Sequence, residues 1–120
     1  MKPRILVVDD NAVNLKLAGD LLELDGFDVS RAIDAESVRD LIQQVTPDLI
    51  LMDVALPGMD GLTLTRILKG DDATKMIKIV ALTAFAMKGD QEKILAAGCD
   101  GYIAKPIDTR KFSDTVKGFL

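Results

Sequence analysis

Three four-residue runs, Ile5-Leu6-Val7-Val8, Leu49-Ile50-Leu51-Met52 and Ile79-Val80-Ala81-Leu82, contain no polar residue. A strand with one face in water alternates apolar and polar side chains. A short run that is apolar throughout and bounded by polar residues reads instead as a strand covered on both faces. Such strands need packed layers above and below them. Two weaker runs, Asp28–Ala32 and Gly101–Ala104, are mixed or short and suit the edges of the same sheet.

Helical patterns lie between these runs. Val13, Leu17, Leu21 and Leu24 recur at helical spacing and predict the buried face of a first helix. Ala35, Val38, Leu41, Ile42 and Val45 predict a second, Leu64, Ile67 and Leu68 a third, and Phe112, Val116 and Phe119 a last. A fourth, over about 87–97, is polar from Lys88 to Lys93 and rests on Ile94, Leu95 and Ala97. Asp25-Gly26, Pro47, Gly70 and Gly98 supply the stops. Strand and helix therefore alternate five times with short connections. That pattern predicts one α/β domain over 1–120, a doubly wound parallel sheet of five strands in the order 2-1-3-4-5 with five helices, flavodoxin-like in plan.

In a sheet of this kind, ligands bind beyond the carboxyl ends of the strands where the winding reverses. The first strand ends in Asp9-Asp10, the third in Asp53, the fourth in Thr83-Ala84 and the fifth in Lys105-Pro106. Four strands thus deliver three carboxylates, a hydroxyl and an ammonium to one rim. Three clustered carboxylates raise one another's pKa unless a cation relieves them. Hard oxygen ligands without imidazole or thiolate favour Mg²⁺. Asp53, alone after an apolar strand, is the candidate nucleophile for a phosphoryl group. Lys105 is the candidate clamp on its oxygens and Thr83 a hydrogen-bond donor to them. Taken singly, each is ordinary: an Asp caps a helix, a Thr suits a strand, a Lys is solvated. Their coincidence at four strand ends is what carries the reading.

Composition removes other classes. There is no histidine, so Ser-His-Asp and Cys-His catalysis and histidine-based zinc sites are excluded within the chain. A phosphohistidine would have to come from a partner. The net charge of −4 and the absence of like-charge runs longer than two disfavour direct nucleic-acid binding. No stretch of about 18 apolar residues predicts a membrane span. The start, Met1-Lys2-Pro3-Arg4, lacks a secretory pattern, and the one cysteine, Cys99, has no partner for an internal disulfide. A cytoplasmic location is the expectation, with Cys99 packing as a small apolar residue.

The segments Ile5–Asn11, Pro47–Pro57, Gly58–Gly61, Ala81–Lys88 and Gly98–Pro106 together resemble the receiver domains of two-component response regulators (CheY-like) over essentially the whole chain. Asn11, Asn14 and the stretch 84–88 resemble hybrid-kinase receivers and single-domain cell-cycle regulators of the DivK type. The resemblance implies Asp53 as phosphoacceptor, Asp10 as direct Mg²⁺ ligand, Asp9 acting mainly through water, and the Ala55 carbonyl completing the set. It implies Thr83 and Lys105 on the phosphoryl group, and a cis peptide before Pro106. It also implies a switch in which Thr83 moves and Tyr102 swings inward, reshaping the surface of the fourth helix, fifth strand and fifth helix. Expected partners are a histidine kinase or histidine phosphotransfer protein, docking over the first helix near Asn11, Asn14 and Leu15, and a downstream protein target. Ala55 and Phe85, two positions after Asp53 and Thr83, are where the family tunes phosphoryl loss; a bulky Phe85 predicts a moderately long lifetime. A stand-alone regulator and a domain of a longer protein are both compatible with a last helix that runs to Leu120. The rivals are an aspartyl phosphatase, which needs an acid where Ala55 stands; a flavin or nucleotide binder, whose phosphate loop is replaced by Asp9-Asp10; and a phosphorylation-independent docking module on the same fold.

Overall fold

The computed structural model describes residues 2–84 and 87–120. Phe85, on which the expected phosphoryl lifetime rests, therefore lies outside the described residues, as do Ala86 and Met1. Five strands, β1 (Arg4–Val8), β2 (Asp28–Ala32), β3 (Leu49–Asp53), β4 (Lys78–Thr83) and β5 (Gly101–Ala104), form one parallel sheet in the order β2-β1-β3-β4-β5. The helices α1 (Ala12–Leu24), α2 (Ala35–Gln44), α3 (Gly61–Gly70), α4 (Lys88–Ala96) and α5 (Phe112–Phe119) connect and follow them. The fold class, strand order and edge strands are those expected from the sequence.

Because side chains alternate along a strand, the apolar runs feed two cores. Ile5, Val7, Leu49, Leu51, Val80 and Leu82 pack against Leu15, Ala18 and Leu22 of α1 and Phe112 and Val116 of α5. Leu6, Val8, Ile50, Met52, Ile79 and Ala81 pack against Val38 of α2, Leu64 and Leu68 of α3 and Ile94 of α4. The three central strands are buried almost completely, as runs apolar on both faces require.

The helix faces differ from expectation in places. In α1 the buried residues are Leu15, Ala18, Gly19 and Leu22, whereas Val13 is 75% and Leu24 86% exposed and Leu17 is also exposed. The α1 sequence carries two interleaved apolar stripes, and spacing alone does not say which one faces the sheet. Leu15, expected to be accessible for docking, is consequently buried. Val45, Ile67 and Leu95 are exposed as well: Val45 lies just past α2 as its extended C-cap, and Ile67 and Leu95 sit off the buried stripes of α3 and α4. Cys99 is buried, as expected.

Candidate functional site

The site is assembled by strand register. Val8 lies opposite Met52, and Asp53 lies opposite Leu82, so the residues that follow β1 and end β3 emerge side by side. Beyond the ladder, Val54 N–H donates to the Leu82 carbonyl at 3.2 Å and Lys105 N–H to the Thr83 carbonyl at 2.8 Å. Parallel pairing is thus carried past the strand ends and holds the segments after β3 and β5 against β4 at one rim.

Asp9 and Asp53 are buried, Asp10 is exposed, and oxygens from the three carboxylates lie within 4.8 Å of one another. One oxygen of each buried carboxylate is held by its own loop: Asp9 Oδ1 accepts from Asn11 N–H at 2.9 Å and Asp53 Oδ1 from Ala55 N–H at 3.0 Å. The other oxygens meet Lys105, whose Nζ lies 3.0 Å from Asp9 Oδ2 and 3.3 Å from Asp53 Oδ2. The Lys105-Pro106 peptide is cis. Thr83 is buried at the same rim.

Burial pushes the Asp53 carboxyl above its ordinary pKa, and the Asp9 carboxylate adds to the rise; the Ala55 N–H and the Lys105 ammonium only partly oppose it. Burial pulls on Lys105 in the other sense, but its hydrogen bond to Asp9 and the charge of Asp53 outweigh that and hold it protonated above the usual lysine range. A buried carboxyl raised in this way gains from a divalent cation. The donor set is all oxygen, with one exposed carboxylate at the mouth, and fits Mg²⁺, which keeps several waters and takes only one or two carboxylates.

Flanking groups set the frame. Asn11 caps α1, its Oδ1 accepting from Val13 N–H at 3.0 Å and Asn14 N–H at 3.1 Å. Asp60 caps α3 through Thr63 N–H at 2.8 Å. Gly61 N–H donates to the Val54 carbonyl at 3.0 Å, and a Cβ on Gly61 would collide with the Asp53 carbonyl oxygen. Tyr102 is half-buried on β5 opposite Ala81, and Thr83 lies opposite Ala104, so Tyr102 and Thr83 share a sheet face as diagonal neighbours. The structure therefore brings Asp9, Asp10, Asp53, Thr83 and Lys105 to one place, with Ala55 beside them. A cavity of about 570 Å³ opens over this group.

Sequence reasoning missed three contributors. Gly61 was legible only as a turn residue. Arg66 on α3 and Lys93 on α4 also line the cavity, and nothing in their local sequence separates them from solvated charges. One turn before Arg66, Leu62 lines the cavity too, a helical spacing that would have pointed to Arg66 had the orientation of α3 been known.

The model of the response regulator receiver domain matches residues 5–117. The chain is 44% identical over 120 residues to the polar-differentiation response regulator DivK of Brucella anthropi, covering 100% of this chain and 98% of that protein. Its fold matches the chemotaxis response regulator CheY4 of Vibrio cholerae with a TM-score of 0.94 at 23% identity, over the whole of both chains. It also matches the signal receiver domain of a signal transduction histidine kinase from Syntrophus aciditrophicus, with a TM-score of 0.88 and 30% identity over 98% of this chain and 89% of that one.

Proposed function

This chain belongs to the response regulator receiver family, and from that membership we propose that Asp53 accepts a phosphoryl group from the phosphohistidine of a histidine kinase or histidine phosphotransfer protein. The observation that carries the reading is the meeting of three carboxylates within 4.8 Å with the Lys105 ammonium 3.3 Å from Asp53.

An Asp53 carboxylate oxygen attacks phosphorus in line with the departing imidazole nitrogen, giving an acyl phosphate on the protein. The Ala55 N–H and the β3 backbone hold Asp53 in place for that attack. Asp10, Asp53, Asp9 and the Ala55 carbonyl are the groups that would hold Mg²⁺, Asp9 mainly through water. When bound, the ion supplies positive charge to the phosphoryl oxygens. Lys105 exchanges part of its contact with Asp9 and Asp53 for a phosphoryl oxygen, and Thr83 donates its hydroxyl hydrogen to another. The new group brings about −1.5 to −2 charges to this point. Movement of Thr83 toward it frees space beside Tyr102 on the same sheet face, and the α4-β5-α5 surface that meets a downstream protein changes with it. Inverting a 1:99 population needs about 5.5 kcal/mol of differential binding. A few charge-assisted hydrogen bonds are of the right order for much of that.

The test is intact-mass measurement after incubation with acetyl phosphate and Mg²⁺. The wild type gains one phosphoryl group and Asp53→Asn gains none. A gain that persists in Asp53→Asn overturns the assignment.

A further inference from the structure

Lys105 owes its place at the rim to β5, and β5 has little of its own to hold it in register. It has four residues, lies at the sheet edge beside β4, and alone among the five strands has no buried residue. Register is only weakly specified where no strand face is fully covered. A slip of one residue would exchange the faces of Tyr102 and Ile103 and shift the chain at Lys105 by about 3.3 Å. Lys105 Nζ stands 3.0 Å from Asp9 Oδ2 and 3.3 Å from Asp53 Oδ2, so the site does not survive such a shift.

The entrance of β5 carries a clamp. Asp100 N–H donates to the Ile79 carbonyl at 2.7 Å, and Asp100 Oδ2 accepts from Ile79 N–H at 2.8 Å. Backbone and side chain of one residue thus grip both polar groups of one residue on β4. Lys69, in the last turn of α3, closes the arrangement: its Nζ donates to the same Asp100 Oδ2 at 2.9 Å and to the Ile77 carbonyl at 2.8 Å. Its stem runs past Gly98, where a Cβ would stand 3.1 Å from Lys69 Cγ. The end of α3, the entrance of β4, the turn after α4 and the entrance of β5 therefore meet at one point. The Asp100 side chain is 41% exposed, and an ion pair so open adds little to stability by itself. What it adds is geometric, because only one register lets Asp100 hold Ile79 and Lys69 together. In that register the exit of β5 brings Lys105 N–H onto the Thr83 carbonyl at 2.8 Å. Resting on the phosphoacceptor reading of Asp53, we infer that Asp100 and Lys69 are positioning residues for phosphoryl uptake: they pin β5 to β4 at its entrance and so set where Lys105 stands at its exit. Neither lines the cavity over Asp53, and both act through the strand.

The experiment compares wild type, Asp100→Ala, Asp100→Asn, Lys69→Met and, as a core variant remote from the clamp, Leu22→Ala. Initial rates of phosphorylation by acetyl phosphate with Mg²⁺ are read by intact mass and divided by the folded fraction from circular dichroism. Hydrogen exchange of the Lys105 amide is followed in the same samples. Asp100→Ala is expected to lose about tenfold in rate per folded molecule and to exchange the Lys105 amide about tenfold faster than global unfolding accounts for. Asp100→Asn keeps an oxygen for Ile79 N–H and should recover part of both losses. Lys69→Met frees the clamp from α3 and should lose about threefold in rate. Leu22→Ala should lower the unfolding midpoint and leave the rate per folded molecule near wild type. A merely structural clamp would make Asp100→Ala behave as Leu22→Ala does. That result, or Lys105 exchange no faster than global unfolding gives, overturns the inference. Should Asp100→Ala not fold, Lys69→Met and Asp100→Asn carry the same comparison, and rates and exchange equal to those of Leu22→Ala overturn it. Failure of the wild type to be phosphorylated at Asp53 would instead sink the phosphoacceptor reading.

Discussion

At the scale of single residues, one constraint on Asp53 from outside its own strand is a missing side chain. Gly61 begins α3 directly against the Asp53 carbonyl, and a methyl group there meets backbone that is pinned by the sheet and cannot swing away. Gly61→Ala is expected to cost about 1–3 kcal/mol in urea unfolding and to slow phosphoryl uptake by displacing Asp53. Gly70, where an added methyl group would meet nothing within 4 Å and where φ is not positive, is the control: Gly70→Ala should be neutral or stabilising by up to about 1 kcal/mol. Cys99 makes a second prediction. Burial pushes its thiol pKa up, and the Thr65 hydroxyl opposes this only in part. The folded state therefore holds the proton more tightly than the unfolded state, whose thiol titrates at about 8.5. The stability this contributes is complete below that pH and is lost as pH rises toward the folded value. Native protein should resist iodoacetamide at pH 8 while urea-unfolded protein reacts readily, and the alkaline fall in stability should shrink in Cys99→Ala.

At the scale of elements, strands were legible and helix rotation was less so. A run such as Leu49–Met52 has one solution, because every residue must be covered and no choice of face arises. In α1 the choice was real. Its buried stripe includes Gly19, which has no apolar signal and is buried because the Arg31 guanidinium lies over it, held by Asp20 and Glu23. A hydrophobicity pattern gives no weight to a glycine covered by a charged group. The two stripes predict opposite outcomes under mutation. Leu22→Ala should cost about 2–5 kcal/mol, whereas Leu24→Ala should stay within about 0.5 kcal/mol, both read from denaturant midpoints. The same limit explains the site residues that were missed. Asp9, Asp10, Asp53, Thr83 and Lys105 sit at strand ends, where the topology alone fixes their place; Arg66 and Lys93 sit on helices and reach the cavity only through a rotation the sequence does not print.

At the scale of the whole molecule, the acidic rim sets charge repulsion against the sheet that gathers it. Mg²⁺ bound there links to stability as any ligand specific to the folded state does: about 2.7 kcal/mol at a hundredfold excess over Kd. The melting midpoint should therefore climb with Mg²⁺ in the wild type and climb far less in Asp10→Ala, as calorimetry can determine.

The contact between Lys105 and Asp9 joins residues 96 positions apart. It closes only after β1, β3, β4 and β5 have all taken their places. A chain cleaved, truncated or caught half-assembled keeps its aspartate but lacks the assembled rim around it. On the proposed function, uptake of the phosphoryl group would therefore double as a certificate of completeness, and damaged copies would drop out without any separate inspection.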